Sequence, residues 1–391
     1  MRENEYDIND NIRAGVALSM IPDIGAGKTN KLFKAFPSPM KIFSVSWDVL
    51  ARVEGVGVAS AKSIYNFNGW DSVDNTIKKA FEQGLKLLTP NDQYYPDLLR
   101  HIYDPPAVIW VKGNREALNK NFVAVVGTRN PTAGGRDVTK RITKSLLDYF
   151  DIGIVSGLAY GVDTVAHRTA IEKGECTVAV LGSGLDNIYP RINRNLANNI
   201  IKTGGALISE YPPGTKPESH HFPVRNRLVS GMSHGIVITE TRPSGGSKIT
   251  LNAALDQGRE VFIVPHDIRN ENGRGCNEFI RNGWGKLICE IKDIADELPE
   301  YLQKKSDKKI TEPGKSRKKH KNDQETIRKG NREIKKEADI ITLLRGKTVD
   351  IDEISQKMAI SGNELLQLLL ELEISGRIVQ KPGKRFTARE W

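Results

Sequence analysis

Between residues 123 and 289, short apolar runs rich in β-branched residues alternate with helix-length segments, and this alternation constrains the fold more than any other feature of the chain. The runs fall at 123–126, 154–155, 177–181, 206–208, 236–238, 261–264 and 286–289. Segments such as 137–150, 162–173, 193–203 and 249–257 separate them, with apolar side chains at helical spacing. A continuously apolar strand must be buried on both faces, and a parallel sheet covered by helices on both sides provides that burial. Two further strand candidates, 85–88 and 107–111, precede the series, the second just after Pro105-Pro106. The expected class is α/β: a Rossmann-like, doubly wound, mainly parallel sheet over residues 71–302.

The flanks read differently. Residues 1–70 form short helical segments with a loose repeat, in which Gly25-Ala26-Gly27 recurs as Gly55-Val56-Gly57, each ahead of an apolar-periodic stretch. This pattern resembles the helix-hairpin-helix pair of SAM-like domains. Glycine there either lets backbone amides approach a phosphate at a helix N-terminus or merely supplies a tight interhelical turn, and the two readings stand level. Residues 337–391 are helical again, with Leu365, Leu368, Leu369 and Leu372 on one stripe, followed by a hairpin pattern around Pro382-Gly383. Three short helices and a hairpin suggest a winged helix. Its recognition segment, 362–373, carries three glutamates and no lysine or arginine, which suits a protein partner better than the DNA major groove.

The net charge of +10 is localised. Residues 303–336 hold 14 Lys/Arg and 5 Asp/Glu, so the other 357 residues carry only +1. That segment has no apolar periodicity and is expected to be a disordered basic linker. No apolar run approaches the length of a membrane span, and the start lacks the apolar stretch of a signal peptide. Three cysteines at irregular spacing fit neither a disulfide framework nor a zinc site. A cytoplasmic protein with no membrane partner is expected.

Ligands of open parallel sheets bind beyond the carboxyl ends of the strands. The strand-end loops here are Gly127-Thr128-Arg129, Ser156-Gly157-Leu158-Ala159-Tyr160-Gly161, Gly182-Ser183-Gly184, Glu210-Tyr211, the stretch from Glu240 through Arg242 to Gly245-Gly246-Ser247, and Pro265-His266-Asp267. Small residues leave backbone N–H groups open beside helix N-termini, and arginines stand among them, a combination that favours phosphate. Gly182-Ser183-Gly184 followed by Glu210 mimics a dinucleotide fingerprint. However, Asn187 replaces the third glycine and Tyr189-Pro190 interrupts the helix that should begin there, so no nucleotide cofactor is expected. Asp163 and His167 share a helix face, but a first-turn acid and a packed histidine explain them. His220-His221 in an extended segment would point to opposite sides, so no metal site and no catalytic residue are assigned.

Taken together the loops resemble one family, the DprA/Smf DNA-processing proteins. The matching stretches include Val125-Val126-Gly127-Thr128-Arg129, Ser156-Gly157-Leu158-Ala159-Tyr160-Gly161-Val162-Asp163, Leu181-Gly182-Ser183-Gly184-Leu185-Asp186, Ser209-Glu210-Tyr211-Pro212-Pro213-Gly214-Thr215, His221-Phe222-Pro223-Val224-Arg225-Asn226-Arg227 and Gln257-Gly258-Arg259-Glu260. The resemblance implies a non-enzymatic, dimeric binder of single-stranded DNA that hands the strand to the RecA recombinase during natural transformation. It makes Arg129 a phosphate-binding arginine, Arg191 a basic contact, and Arg225, Asn226 and Arg227 a binding segment. Gly127, Thr128, Ser156, Gly157, Gly182, Ser183, Gly184, Gly245, Gly246, Ser247 and Lys248 complete the expected DNA site. His266 and Lys248 depart from the family pattern: the first could narrow the site edge, the second add a phosphate contact. The rival reading is a nucleotide-hydrolysing Rossmann enzyme of the lysine-decarboxylase-like family, suggested by Pro243-Ser244-Gly245-Gly246-Ser247. That loop should be followed by a glutamate, and Lys248-Ile249-Thr250-Leu251-Asn252 supplies none. A transcription factor is a third reading, resting on the winged helix alone.

Overall fold

The computed structural model describes residues 9–304 and, further on, 340–344, 347–358, 365, 368–369, 372–373, 378–381 and 385–388. Two compact units divide the chain, 1–306 and 307–391.

The first unit opens with five helices: α1 (Asp10–Ser19), α2 (Ala26–Ala35), α3 (Trp47–Ala51), α4 (Gly57–Tyr65) and α5 (Trp70–Glu82). Gly25 precedes α2 and Gly57 begins α4, so the paired glycine turns do open helices. Lys28 spans them, its ammonium donating to Asp23 O and Ser60 Oγ.

Nine strands then build one sheet: β1 (Lys86–Leu88), β2 (Ile109–Gly113), β3 (Phe122–Val126), β4 (Gly153–Ser156), β5 (Thr177–Leu181), β6 (Ala206–Ser209), β7 (Gly235–Ile238), β8 (Glu260–Ile263) and β9 (Lys286–Leu287). Their order is β1-β2-β6-β5-β4-β3-β7-β8-β9. β3 to β9 run parallel, while β2 pairs antiparallel with both β6 and β1. The expected mainly parallel, doubly wound α/β sheet is what the chain forms.

Eight helices accompany the strands: α6 (Asp97–Arg100), α7 (Ala133–Tyr149), α8 (Val162–Glu172), α9 (Arg194–Lys202), α10 (His221–Gly231), α11 (Ser247–Asp256), α12 (Arg274–Arg281) and α13 (Ile291–Ala295). Side-chain alternation along β3 sorts them into layers. Val123 and Val125 pack with Ile142, Leu146 and Ala166 of α7 and α8, whereas Phe122, Ala124 and Val126 pack with Leu228, Leu251 and Phe279 of α10, α11 and α12. α1 and α5 join the sheet directly, since Ile12, Val16, Val73 and Ile77 share a core with Trp110, Leu181 and Leu207.

α10 is absent from the helical segments expected above, where only His220-His221 was placed, in an extended segment. Pro223 is compatible with this helix because it sits in the first turn, where its missing N–H has no intrahelical acceptor to lose.

In the second unit, β10 (Thr348–Asp350), β11 (Ile378–Lys381) and β12 (Arg385–Ala388) form an antiparallel sheet in the order β10-β12-β11, with a helix over Ile351–Met358. Ile340, Leu344, Ile354, Leu365, Leu368, Leu369 and Leu372 close its core. The leucine stripe is therefore the buried face. The basic linker from residue 305 onward and most of the 362–373 recognition segment lie outside the described residues.

Candidate nucleic-acid interface

The winding direction reverses at β3. From β3 the chain steps through β4, β5 and β6 to one side, then returns to β7 on the other. The loops after β3 and β7 lead to helices on opposite faces, which opens a crevice at their carboxyl ends, the expected ligand position of such sheets. A cavity of about 710 Å³ occupies it.

The crevice walls are braced by backbone. Thr128 N–H donates to Glu240 O at 2.7 Å, tying the loop after β3 to that after β7. Gly127 is obligatory there, since a Cβ would stand 2.6 Å from Val162 Cγ2 and 2.7 Å from Glu240 O. The Glu240 carboxylate is fully buried and accepts from Thr132 N–H at 2.7 Å, Thr132 Oγ1 at 2.8 Å and Asn270 Nδ2 at 2.9 Å. Thr132 in turn caps α7 through Gly135 N–H. Glu240 thus holds a helix start in place, and no oxygen of it is offered as a general base.

The loop after β4 forms the floor. Leu158 is buried with a φ of 57°, a left-handed conformation uncommon for leucine. Buried Asn193 donates to Leu158 O and Ala159 O, which over-determines that conformation. Asp163, in the first turn of α8, accepts the N–H groups of Gly157 at 3.0 Å and Ala159 at 3.2 Å. Arg225 reaches in from α10 and donates to Gly157 O at 2.7 Å and also to Val180 O. The vacant Cβ position of Gly157 lies between the two charges, 2.5 Å from Arg225 Nη2 and 2.8 Å from Asp163 Oδ2. Burial pushes the Asp163 carboxyl up, against the pull of Arg225, and brings the Arg225 guanidinium down to about 10. Arg225 is still charged at neutral pH.

His167 lies behind this floor, fully buried. Thr177 Oγ1 spends its proton on Ile154 O, so at 2.7 Å it accepts from His167 Nδ1–H, which assigns the neutral tautomer by network. Burial, with Arg225 adding to it, lowers His167 to about 3. The unfolded chain therefore binds a proton near the ordinary histidine value that the folded chain refuses, and stability falls as the pH drops below about 6.5. Between pH 7 and 5 the histidine should remove about 2 kcal/mol. Buried carboxyls with raised values act in the opposite direction but are common to both proteins in the comparison. Urea unfolding of wild type and His167→Gln at the two pH values should show a flatter dependence in the variant; equal slopes would refute this.

The expected site residues divide into two groups. Gly127, Thr128, Arg129, Gly157, Arg225, Asn226, Gly245, Gly246 and Ser247 line the cavity. The others do not. Ser156 and Ser183 are buried, their hydroxyls donating to Val125 O and Asn187 O. Gly184 N–H donates to Thr215 O, and Gly182 packs behind Phe222. Arg191 is exposed in the short turn before α9. Lys248 sits 5.1 Å from the Trp284 ring centroid. Arg227 is engaged with Glu210, with the Asp104 carboxylate at 3.2 Å and with Asp104 O. His266, the other departure, binds Thr239 O through Nε2 at 2.7 Å and does not line the cavity.

Among the described residues that line the cavity, one free cation stands out. Arg129 is exposed and makes no ion pair or side-chain hydrogen bond among the described residues; its guanidinium lies 5.6 Å from the Phe222 ring centroid. Phe222 in turn meets Tyr189 at 5.4 Å. Arg242 borders the same space, its Nε held by Asn272. The Tyr189–Phe222 pair escaped sequence reading; an aromatic residue three positions before an arginine in His221-Phe222-Pro223-Val224-Arg225 was the available signal.

Similarity to known proteins agrees with this arrangement. A family model described as "DNA recombination-mediator protein A" matches residues 86–299, and one described as "DprA winged helix domain" matches 332–384. The "DNA processing protein DprA" of Bacillus subtilis is 38% identical over 271 residues, covering 69% of this chain and 89% of that protein. "Protein Smf" of Escherichia coli is 32% identical over 338 residues, 86% of each chain. The X-ray structure of DNA processing protein A from Streptococcus pneumoniae superposes with a TM-score of 0.62 at 30% identity, covering 75% of this chain and 99% of that one. With the sheet, the switch-point crevice and both matched regions in one chain, this protein belongs to the DNA recombination-mediator protein A family, the DprA/Smf proteins.

Proposed function

We propose that this chain binds single-stranded DNA in the crevice beyond β3, β4 and β7, without catalysing a reaction on it. The observation that carries the reading is the juxtaposition of unpaired Arg129 with the Phe222–Tyr189 ring pair at the mouth of a glycine-lined cavity. Single-strand binders combine cations that follow the backbone with aromatic faces on which bases stack. A duplex keeps its bases stacked on one another, so a ring pair at the cavity mouth serves a single strand better. The engagement of Glu240 weighs against the hydrolase alternative.

On the same reading the protein is cytoplasmic, acts as a homodimer, and delivers its strand to RecA during DNA uptake. The names of its relatives, which speak of DNA processing and recombination mediation, support the DNA-handling part of that reading. No helix among the described residues is long and apolar enough to cross a membrane.

Gel-shift titration of the full chain with an oligonucleotide, single-stranded or annealed to its complement, tests the proposal. Affinity should favour the single strand and fall with salt at a log–log slope of about −0.7 per phosphate neutralised. Equal affinity for the duplex, or a flat salt response, would show that the crevice is not a single-strand site.

A further inference from the structure

The segment before α10 holds a cluster that binding of a nucleic acid does not explain. Glu218, His220 and His221 each bring a ligand atom to within 4.8 Å of the others. The chain is not extended here, contrary to the reading that put the two histidines on opposite sides. His220 has an α-region backbone, and His221 N–H donates to Glu218 O at 3.0 Å. This turn sets the two imidazole rings 4.3 Å apart at their centroids and places His220 Nδ1 3.5 Å from Glu218 Oε2.

A second observation points to a ligand. His221 Nδ1 is buried and has no hydrogen-bond partner among the described residues. Its ring packs against that of Tyr211, the centroids 4.2 Å apart. An imidazole with an unsatisfied nitrogen, beside a second imidazole and a carboxylate, matches the donor set of a catalytic-type zinc site. Such a site has three protein ligands and a fourth position left open.

We propose that Glu218, His220 and His221 bind a divalent transition-metal ion of the zinc class at the rim of the crevice. Two imidazoles favour zinc or cobalt over magnesium and calcium, which require several oxygen ligands. The bound ion would fix the first turn of α10 and so the position of Phe222, which follows His221 directly. The proposal rests on the cluster alone and stands whether or not the crevice takes DNA.

Titration of metal-stripped full-length protein with zinc chloride, followed by calorimetry in excess Mg²⁺, tests it. One saturable site per chain is expected, with a zinc-dependent rise in Tm. Glu218 and His220 are largely exposed, so His220→Ala and Glu218→Gln should fold as the wild type does. His220→Ala should weaken zinc binding by more than about tenfold, the loss produced when even outer-shell partners of a metal are removed. Absence of a saturable site in the wild type overturns the proposal. So does zinc affinity unchanged in His220→Ala, or binding that instead disappears in Cys289→Ser, since Cys289 is the exposed thiol.

Discussion

Asp163→Ala should destabilise the protein by about 3–5 kcal/mol, the range found when one member of a buried charge pair is removed. The substitution strands the Arg225 guanidinium in the interior and leaves the Gly157 and Ala159 N–H groups without their acceptor. The opposed charges are not a net source of stability: burial moves Asp163 up and Arg225 down, so desolvation outweighs their attraction at both ends. What they contribute is position, since Arg225 ties the β4 loop to β5 through Gly157 O and Val180 O. The double variant Asp163→Ala/Arg225→Met should therefore be more stable than Asp163→Ala alone, because it removes the stranded charge. Urea midpoints at constant m-value measure both changes. A single variant within about 1 kcal/mol of wild type, or strictly additive losses in the cycle, would show that the two groups are not coupled.

The strands were legible because burial on both faces leaves a continuous β-branched signature, and Thr177–Leu181 appears with the predicted ends. The strand-end loops were legible for the same reason, since the position of a parallel strand determines where its ligand edge lies. What sequence could not show is which polar side chains are already engaged. Arg225, Arg227 and Arg129 look alike in a motif. Only folding brings Asp104 and Glu210 to Arg227 and turns Arg225 inward against Asp163. The Tyr189–Phe222 pair is similarly tertiary, made when the start of α10 meets the turn before α9. The geometry of Glu218, His220 and His221 was lost with α10 itself: proline at its third position and a run of polar residues hide a helix whose apolar contacts, such as Leu228 and Val229, come late.

Arg129→Ala should weaken single-strand binding by about five- to a hundredfold, or 1–3 kcal/mol, while leaving the melting temperature unchanged. Both halves of the expectation follow from its surroundings. The guanidinium has no carboxylate partner among the described residues, so its removal breaks no ion pair and orphans no buried group. Its positive charge opposes that of Arg225, which it helps to push down, and an anion entering the cavity would relieve that repulsion. Arg129→Lys should recover only part of the affinity, because an ammonium keeps the charge but not the planar fork that grips two phosphate oxygens. Arg227→Ala provides the contrast. Its side chain is only 12% exposed and faces two carboxylates, so losing it should lower the melting temperature by leaving Asp104 and Glu210 in mutual repulsion. Measuring melting temperature and oligonucleotide affinity on the same preparations separates a ligand-facing arginine from a structural one. If Arg129→Ala melts early yet binds like wild type, the phosphate clamp lies elsewhere, and Arg242, on the loop after β7, becomes the cation to remove next.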